Sequence, residues 1–169
     1  MSDKSANEAV SFGEKLAGSQ TFVALFRDGM ALVEETAAYL DGPGRKESKI
    51  LERSAALAYA TESMRLTTRL MQLASWLLLH RAVNEGEMSL AQASQEKTKV
   101  KLSAGEATDE DTASLLPESL RTLIGRSLRL QDRVRRLDAT IHSDVAEKTY
   151  ANPVERQLGL LKAAFEREG

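Results

Sequence analysis

From Arg45 to Glu85 the chain contains neither glycine nor proline. Little else in the sequence limits the fold as much. A helix through this stretch, placed at 46–85, would be roughly 57 Å long at 1.5 Å per residue. Helices of that length without breaks belong to coiled coils and long bundles. Its apolar residues fall into two stripes. Stepping by three and four from Ile50 gives Ser54, Leu57, Thr61, Met64, Thr68, Met71, Ser75 and Leu78. Large apolar residues alternate there with small hydroxyl residues, which can bond back to the carbonyl four residues earlier. The second stripe is Tyr59, Ser63, Leu66, Leu70, Leu73 and Leu77, with the single tryptophan, Trp76, beside it. Glu62, Arg65, Arg69 and Gln72 take the remaining side. Two stripes imply that more than half the circumference is to be buried. The helix is therefore expected to lie between neighbours, and part of Tyr59, Leu66, Leu70, Leu73, Trp76 and Leu77 is expected to meet a second copy across a two-fold axis; the alternative is that all six belong to the chain's own core.

A membrane span is excluded by length. The uninterrupted apolar run "LMQLASWLLL" ends at His80 and Arg81, well short of the about 20 residues that a span needs. The N-terminus has no apolar core of the signal-peptide kind, so a cytoplasmic protein is expected.

The flanking segments are helical as well. "SQTFVALFRDGMALVEETAAYL" places Phe22, Leu25, Phe26, Leu32, Val33 and Leu40 on one face. Ser19 suits an N-cap, which suggests a helix at 19–40. "DGPGR" is composed of turn residues, so the first two helices should form an antiparallel hairpin. Downstream, Pro117 suits the start of a helix at 117–150. Leu120, Leu123, Ile124, Ser127, Leu130, Val134, Leu137, Ile141 and Val145 give it one stripe at heptad-like spacing. Between 86 and 116 periodicity weakens and an acidic stretch follows, so a long mobile loop is expected there. Residues 1–18 and 151–169 read as flexible ends. Within the tail, Val154, Leu158, Leu161 and Phe165 could line one face of a short helix. With aromatic residues at 5%, sandwiches and barrels are disfavoured. The expected class is all-α: a three-helix bundle with two long antiparallel helices.

Motifs for chemistry are missing. The chain of 169 residues has no cysteine and two histidines, His80 and His142. A zinc site would need both to converge with carboxylates. Phosphate-binding loops and the hydrolase and metalloprotease signatures are absent. Neighbouring carboxylates such as Glu34 and Glu35 do not share a helix face. The expectation is no enzyme, no cofactor and no metal. A net charge of −2 gives no prior for nucleic acid. "RSLRLQDRVRR" is nonetheless dense in arginine. On a helical projection Arg129, Arg133 and Arg136 share one face, with Arg126 and Arg135 elsewhere. Three readings stand: a solvated face balanced by bundle carboxylates, a dock for an acidic protein surface, or a nucleic-acid contact. Aromatic residues for base stacking are lacking, which weighs against the last.

Long strings of this sequence resemble a known family. "GMALVEETAAYLDGPGR", "YATESMRLTTRLMQLASWLL" and "EGEMSLAQA", within Phe26 to Ala93, are similar to the alphaproteobacterial family called regulator of CtrA degradation. "LPESLRTLIGRSLRLQDRVRRLD" resembles it more loosely. The resemblance implies a three-helix-bundle homodimer that acts as an adaptor for the protease ClpXP. Such an adaptor binds protease primed by a response-regulator partner. It delivers cargo, including a cell-cycle transcription factor, directly or through a c-di-GMP-binding adaptor. It would be cytoplasmic, with some concentration at a cell pole. On this reading Arg129, Arg133, Arg136, Val154, Leu158, Leu161 and Phe165 are candidates for partner binding. The alternative is a nucleic-acid-associated helical regulator using the basic patch.

Overall fold

The computed structural model describes residues 20–97, 108–150 and 153–165. Every regular element among them is an α-helix. Helix α1 spans Gln20–Asp41, α2 Pro43–Lys49, α3 Arg53–Asn84, α4 Leu90–Lys97, α5 Glu110–Leu115, α6 Glu118–Tyr150 and α7 Pro153–Phe165. Residues 1–19, which include the expected flexible N-terminus and the Ser19 cap, lie outside the described residues.

Helix α1 buries Phe22, Leu25, Gly29, Leu32, Thr36 and Tyr39. Their spacing alternates three and four, which is one face of a helix. That face meets α3 and α6, and the three long helices pack on one another. Cross-helix pairs fix their directions. Phe22 stacks near Trp76 and Arg81 lies over the Phe26 ring, while Gly44, just past the other end of α1, abuts Tyr59. Helices α1 and α3 are therefore antiparallel. Arg126 pairs with Glu35 and Arg133 with Asp28, so α1 and α6 are antiparallel too. Arg69 bonds Ser127 and Trp76 bonds Asp138, so the two longest helices, α3 and α6, run in the same direction. Helices α4 and α5, which lie between them in the chain, both contact α3. Thr108, just before α5, donates to Glu62 Oε2 at 2.9 Å.

The helix expected over 46–85 is interrupted. Pro43 opens α2, and the Ile50 and Leu51 N–H groups close it with bonds to Glu47 O and Ser48 O, both 3.4 Å. Glu52 is then extended and α3 starts at Arg53. The cause is tertiary. The Tyr39 hydroxyl donates to Glu47 Oε2 at 2.6 Å, holding α2 on the end of α1. Gly44 sits where a Cβ would come within 2.6 Å of the Tyr59 hydroxyl and 2.8 Å of the Tyr39 carbonyl oxygen. At the far end Gly86, at φ 74°, terminates α3 in a left-handed turn, with the Glu87 N–H bonded to Ala82 O.

The segment expected to be a loop at 86–116 contains two helices. Helix α4 opens with a reciprocal capping box. The Gln92 N–H donates to Ser89 Oγ at 3.1 Å, and the Ser89 N–H donates to Gln92 Oε1 at 3.0 Å. Ala93 is buried against α3. Helix α5 is capped by Asp109, whose carboxylate accepts the Thr112 N–H at 2.7 Å. That bond holds the Asp109 pKa below the ordinary carboxylate value. Residues 98–107, in the middle of the expected loop, lie outside the described residues.

Candidate docking surfaces

Tyr59, Leu66, Leu70, Leu73, Trp76 and Leu77, the residues expected at a dimer interface, form the chain's own core. None is more than 9% exposed. They face α1 and α6, and the Trp76 indole N–H donates to Asp138 Oδ1 at 2.9 Å. They are not available to a second copy, which corrects the sequence reading. The other stripe of the same helix is the uncovered one. On it Leu57, Met64, Met71 and Leu78 are between 53% and 71% exposed, and Ile50, at the break before α3, is exposed as well. The hydroxyl residues between them, Ser54, Thr61, Thr68 and Ser75, are exposed as well. Ser75 Oγ donates to the Met71 carbonyl at 2.8 Å, and so presents little polarity to an approaching helix.

The polar side expected at Glu62, Arg65, Arg69 and Gln72 divides. Glu62 and Arg69 are buried. Arg69 Nη1 donates to Ser127 Oγ at 2.9 Å, and Ser127 in turn donates to the Ile124 carbonyl at 2.7 Å. Glu62 accepts from Arg65 Nη1 at 3.2 Å and from Thr108. Burial lowers the Arg69 pKa while the Glu62 charge opposes that. The arrangement is a satisfied internal network. Sequence reasoning had one clue to it: Ser127 is the lone hydroxyl in the apolar stripe of α6. His80 is buried with its ring 4.1 Å from that of Trp76, and His142 is half-buried. The described residues contain no cluster of His, Asp and Glu suited to a metal.

The arginines of α6 make the second surface. Arg129, Arg133 and Arg136 are exposed. Arg126, placed apart by projection, lines the same groove as Arg129 and Arg133. This groove of about 310 Å³ runs between α1 and α6, with Ala31, Leu32 and Leu130 in its wall. Arg126 Nη1 lies 2.6 Å from Glu35 Oε2, and Arg133 Nη1 lies 3.1 Å from Asp28 Oδ2. Balance by bundle carboxylates thus accounts for two of the arginines. The third surface is α7, where Val154, Leu158, Leu161 and Phe165 are all more than half exposed, as is Leu160.

The described residues thus form a fold of packed helices with an internal polar network and three exposed faces. Residues 13–165 match the family described as "Protein of unknown function (DUF1465)", and the chain belongs to that family. It is also similar to a solved structure, that of RcdA from Caulobacter crescentus CB15. The two share 54% identity with a TM-score of 0.63, over 76% of this chain and 96% of that one. At that identity and coverage the chain is a member of the RcdA family. Among curated proteins there is no match. No helix among the described residues is long and apolar enough to cross a membrane.

Proposed function

We propose that this chain is a non-enzymatic adaptor in regulated proteolysis. It delivers protein substrates, among them a cell-cycle transcription factor, to ClpXP. The observation that carries this reading is the 54% identity to RcdA across 96% of that chain. The exposed faces support it, because an adaptor works through surfaces and needs no reacting group. In this reading its partners are protease primed by a response regulator and a c-di-GMP-binding adaptor. The working form is a homodimer joined through Leu57, Met64, Met71 and Leu78 of α3. From Leu57 on, that spacing is strictly seven residues, which makes one narrow seam of the coiled-coil kind. Such a seam can pair with itself across a two-fold axis. The nucleic-acid alternative is weakened by the carboxylates that already hold Arg126 and Arg133.

The test is reconstituted degradation of the transcription factor by ClpXP and the response regulator. Turnover should accelerate on adding this chain together with the second adaptor. Unchanged turnover, with no extra cargo trapped in catalytically inactive ClpP, would overturn the reading.

A further inference from the structure

Along the face that α1 turns to α6, positions 28, 31 and 35 repeat at spacings of three and four, so they share one side of the helix. The arginines facing them, 126, 129 and 133, repeat the same way in the opposite direction. Two of the three rungs are filled. Glu35 holds Arg126 at 2.6 Å and Asp28 holds Arg133 at 3.1 Å. The middle rung sets Arg129 against Ala31, which has no carboxylate to offer. Arg129 makes no hydrogen bond or ion pair among the described residues, and both it and Ala31 are exposed. The space between them is the groove of about 310 Å³, with the buried Leu32 and Leu130 in its wall.

We propose that this vacant rung is a docking site for an acidic peptide segment of a protein partner, whose carboxylate takes the place on Arg129 that α1 leaves empty. The inference rests on the adaptor reading for the identity of the partner as a protein, and on the groove alone for its chemistry. A guanidinium offers a planar fork that matches a carboxylate. Glu35 and Asp28 demonstrate on either side that carboxylates fit this register. The exposed Ala31 gives an apolar residue beside the partner's acid a surface to cover. A nucleic-acid backbone fits less well. Its evenly spaced phosphates would run past Asp28 and Glu35, which repel them, and only Arg129 in the groove lacks a counter-charge.

The ladder supplies its own test. Fluorescence anisotropy of a labelled peptide of alternating Glu and Leu is measured on the full chain, with mixed-sequence duplex DNA and inorganic phosphate as competitors. Arg129→Ser should weaken peptide binding about tenfold, the worth of one charge-assisted hydrogen bond. Ala31→Glu, which fills the rung from within, should weaken it at least as much while leaving the thermal melt unchanged or raised. Arg121→Ser, at an exposed arginine outside the groove, should leave binding intact. Binding should fall as salt rises. No binding by the unmodified chain, equal binding by Ala31→Glu, or displacement of the peptide by DNA or phosphate more readily than by unlabelled peptide would each overturn the proposal. The assay contains no protease. A failed degradation experiment with intact peptide binding would therefore remove the adaptor reading and leave the site, and the reverse result would remove the site alone.

Discussion

At the scale of single residues, the polar groups placed inside the bundle set the geometry of its ends. Tyr39 ties α1 to α2 through Glu47. Burial first, and then that hydrogen bond, hold the Tyr39 phenol far above the ordinary tyrosine range. Burial also raises Tyr59. A folded-state pKa above the unfolded value of about 10 means that the neutral phenol is the form the fold favours. The associated stability is complete below about pH 10 and is lost as the pH rises beyond it. Tyr39→Phe should cost roughly 1 kcal/mol near neutral pH, the net worth of one hydrogen bond. It should also flatten the loss of stability at alkaline pH. Denaturant midpoints at about pH 8 and about pH 10.5 check both parts; the same alkaline drop in variant and parent would remove Tyr39 as its source. None of this was legible in the sequence, where Tyr39 and Glu47 flank a turn and give no sign of a bond.

At the scale of the element, legibility depended on whether the pattern alone decides. The helical nature of α1, α3 and α6 followed from periodicity, because amphipathic stripes have few other solutions. Which stripe of α3 is core did not follow. Leu57, Met64, Met71 and Leu78 are as apolar as Leu66, Leu70, Leu73 and Leu77, and only the position of α1 and α6 distinguishes them. The break at residues 50–52 was hidden for a similar reason: it depends on Tyr39 and Gly44, not on a local breaker. The caps at Ser89 and Asp109 were visible in principle, as S-x-x-Q and as a D-x-x-T start, but carry little weight without a long apolar run behind them. The corrected stripe has a direct consequence. Met64→Glu with Met71→Glu places like charges on the exposed seam and leaves the core untouched. Sedimentation should show the double variant at the chain mass of 18.5 kDa and the parent at twice that, with equal helicity by circular dichroism. Leu66→Glu, by contrast, puts a carboxylate at a position with no exposure. It should cost several kcal/mol and unfold much of the protein. A parent that sediments as a monomer at micromolar concentration would sink the two-fold seam.

At the scale of the whole molecule, the three surfaces can be separated by what each leaves intact. The seam lies on α3, the arginine ladder between α1 and α6, and the apolar face of α7 beyond the end of α6. Val154, Leu158, Leu161 and Phe165 are between 54% and 78% exposed, and none of them belongs to the core cluster. Their removal therefore takes little buried apolar surface from the bundle. Changes away from core, caps and networks usually alter stability by no more than about 0.5 kcal/mol. For a chain of this size that is a shift of roughly 2 °C or less in Tm. Deleting residues 152–169 should accordingly spare the thermal melt, the oligomeric state and the binding of an acidic peptide at Arg129. It should abolish accelerated degradation if α7 is the face that engages the primed protease, since a helix of 13 residues with one apolar side gains its order from the surface it docks on. Full delivery by the truncated chain would make α7 a linker. Loss of peptide binding together with delivery would instead mean that α7 helps to form the groove, a contact that the exposed Leu158 and Phe165 give no reason to expect.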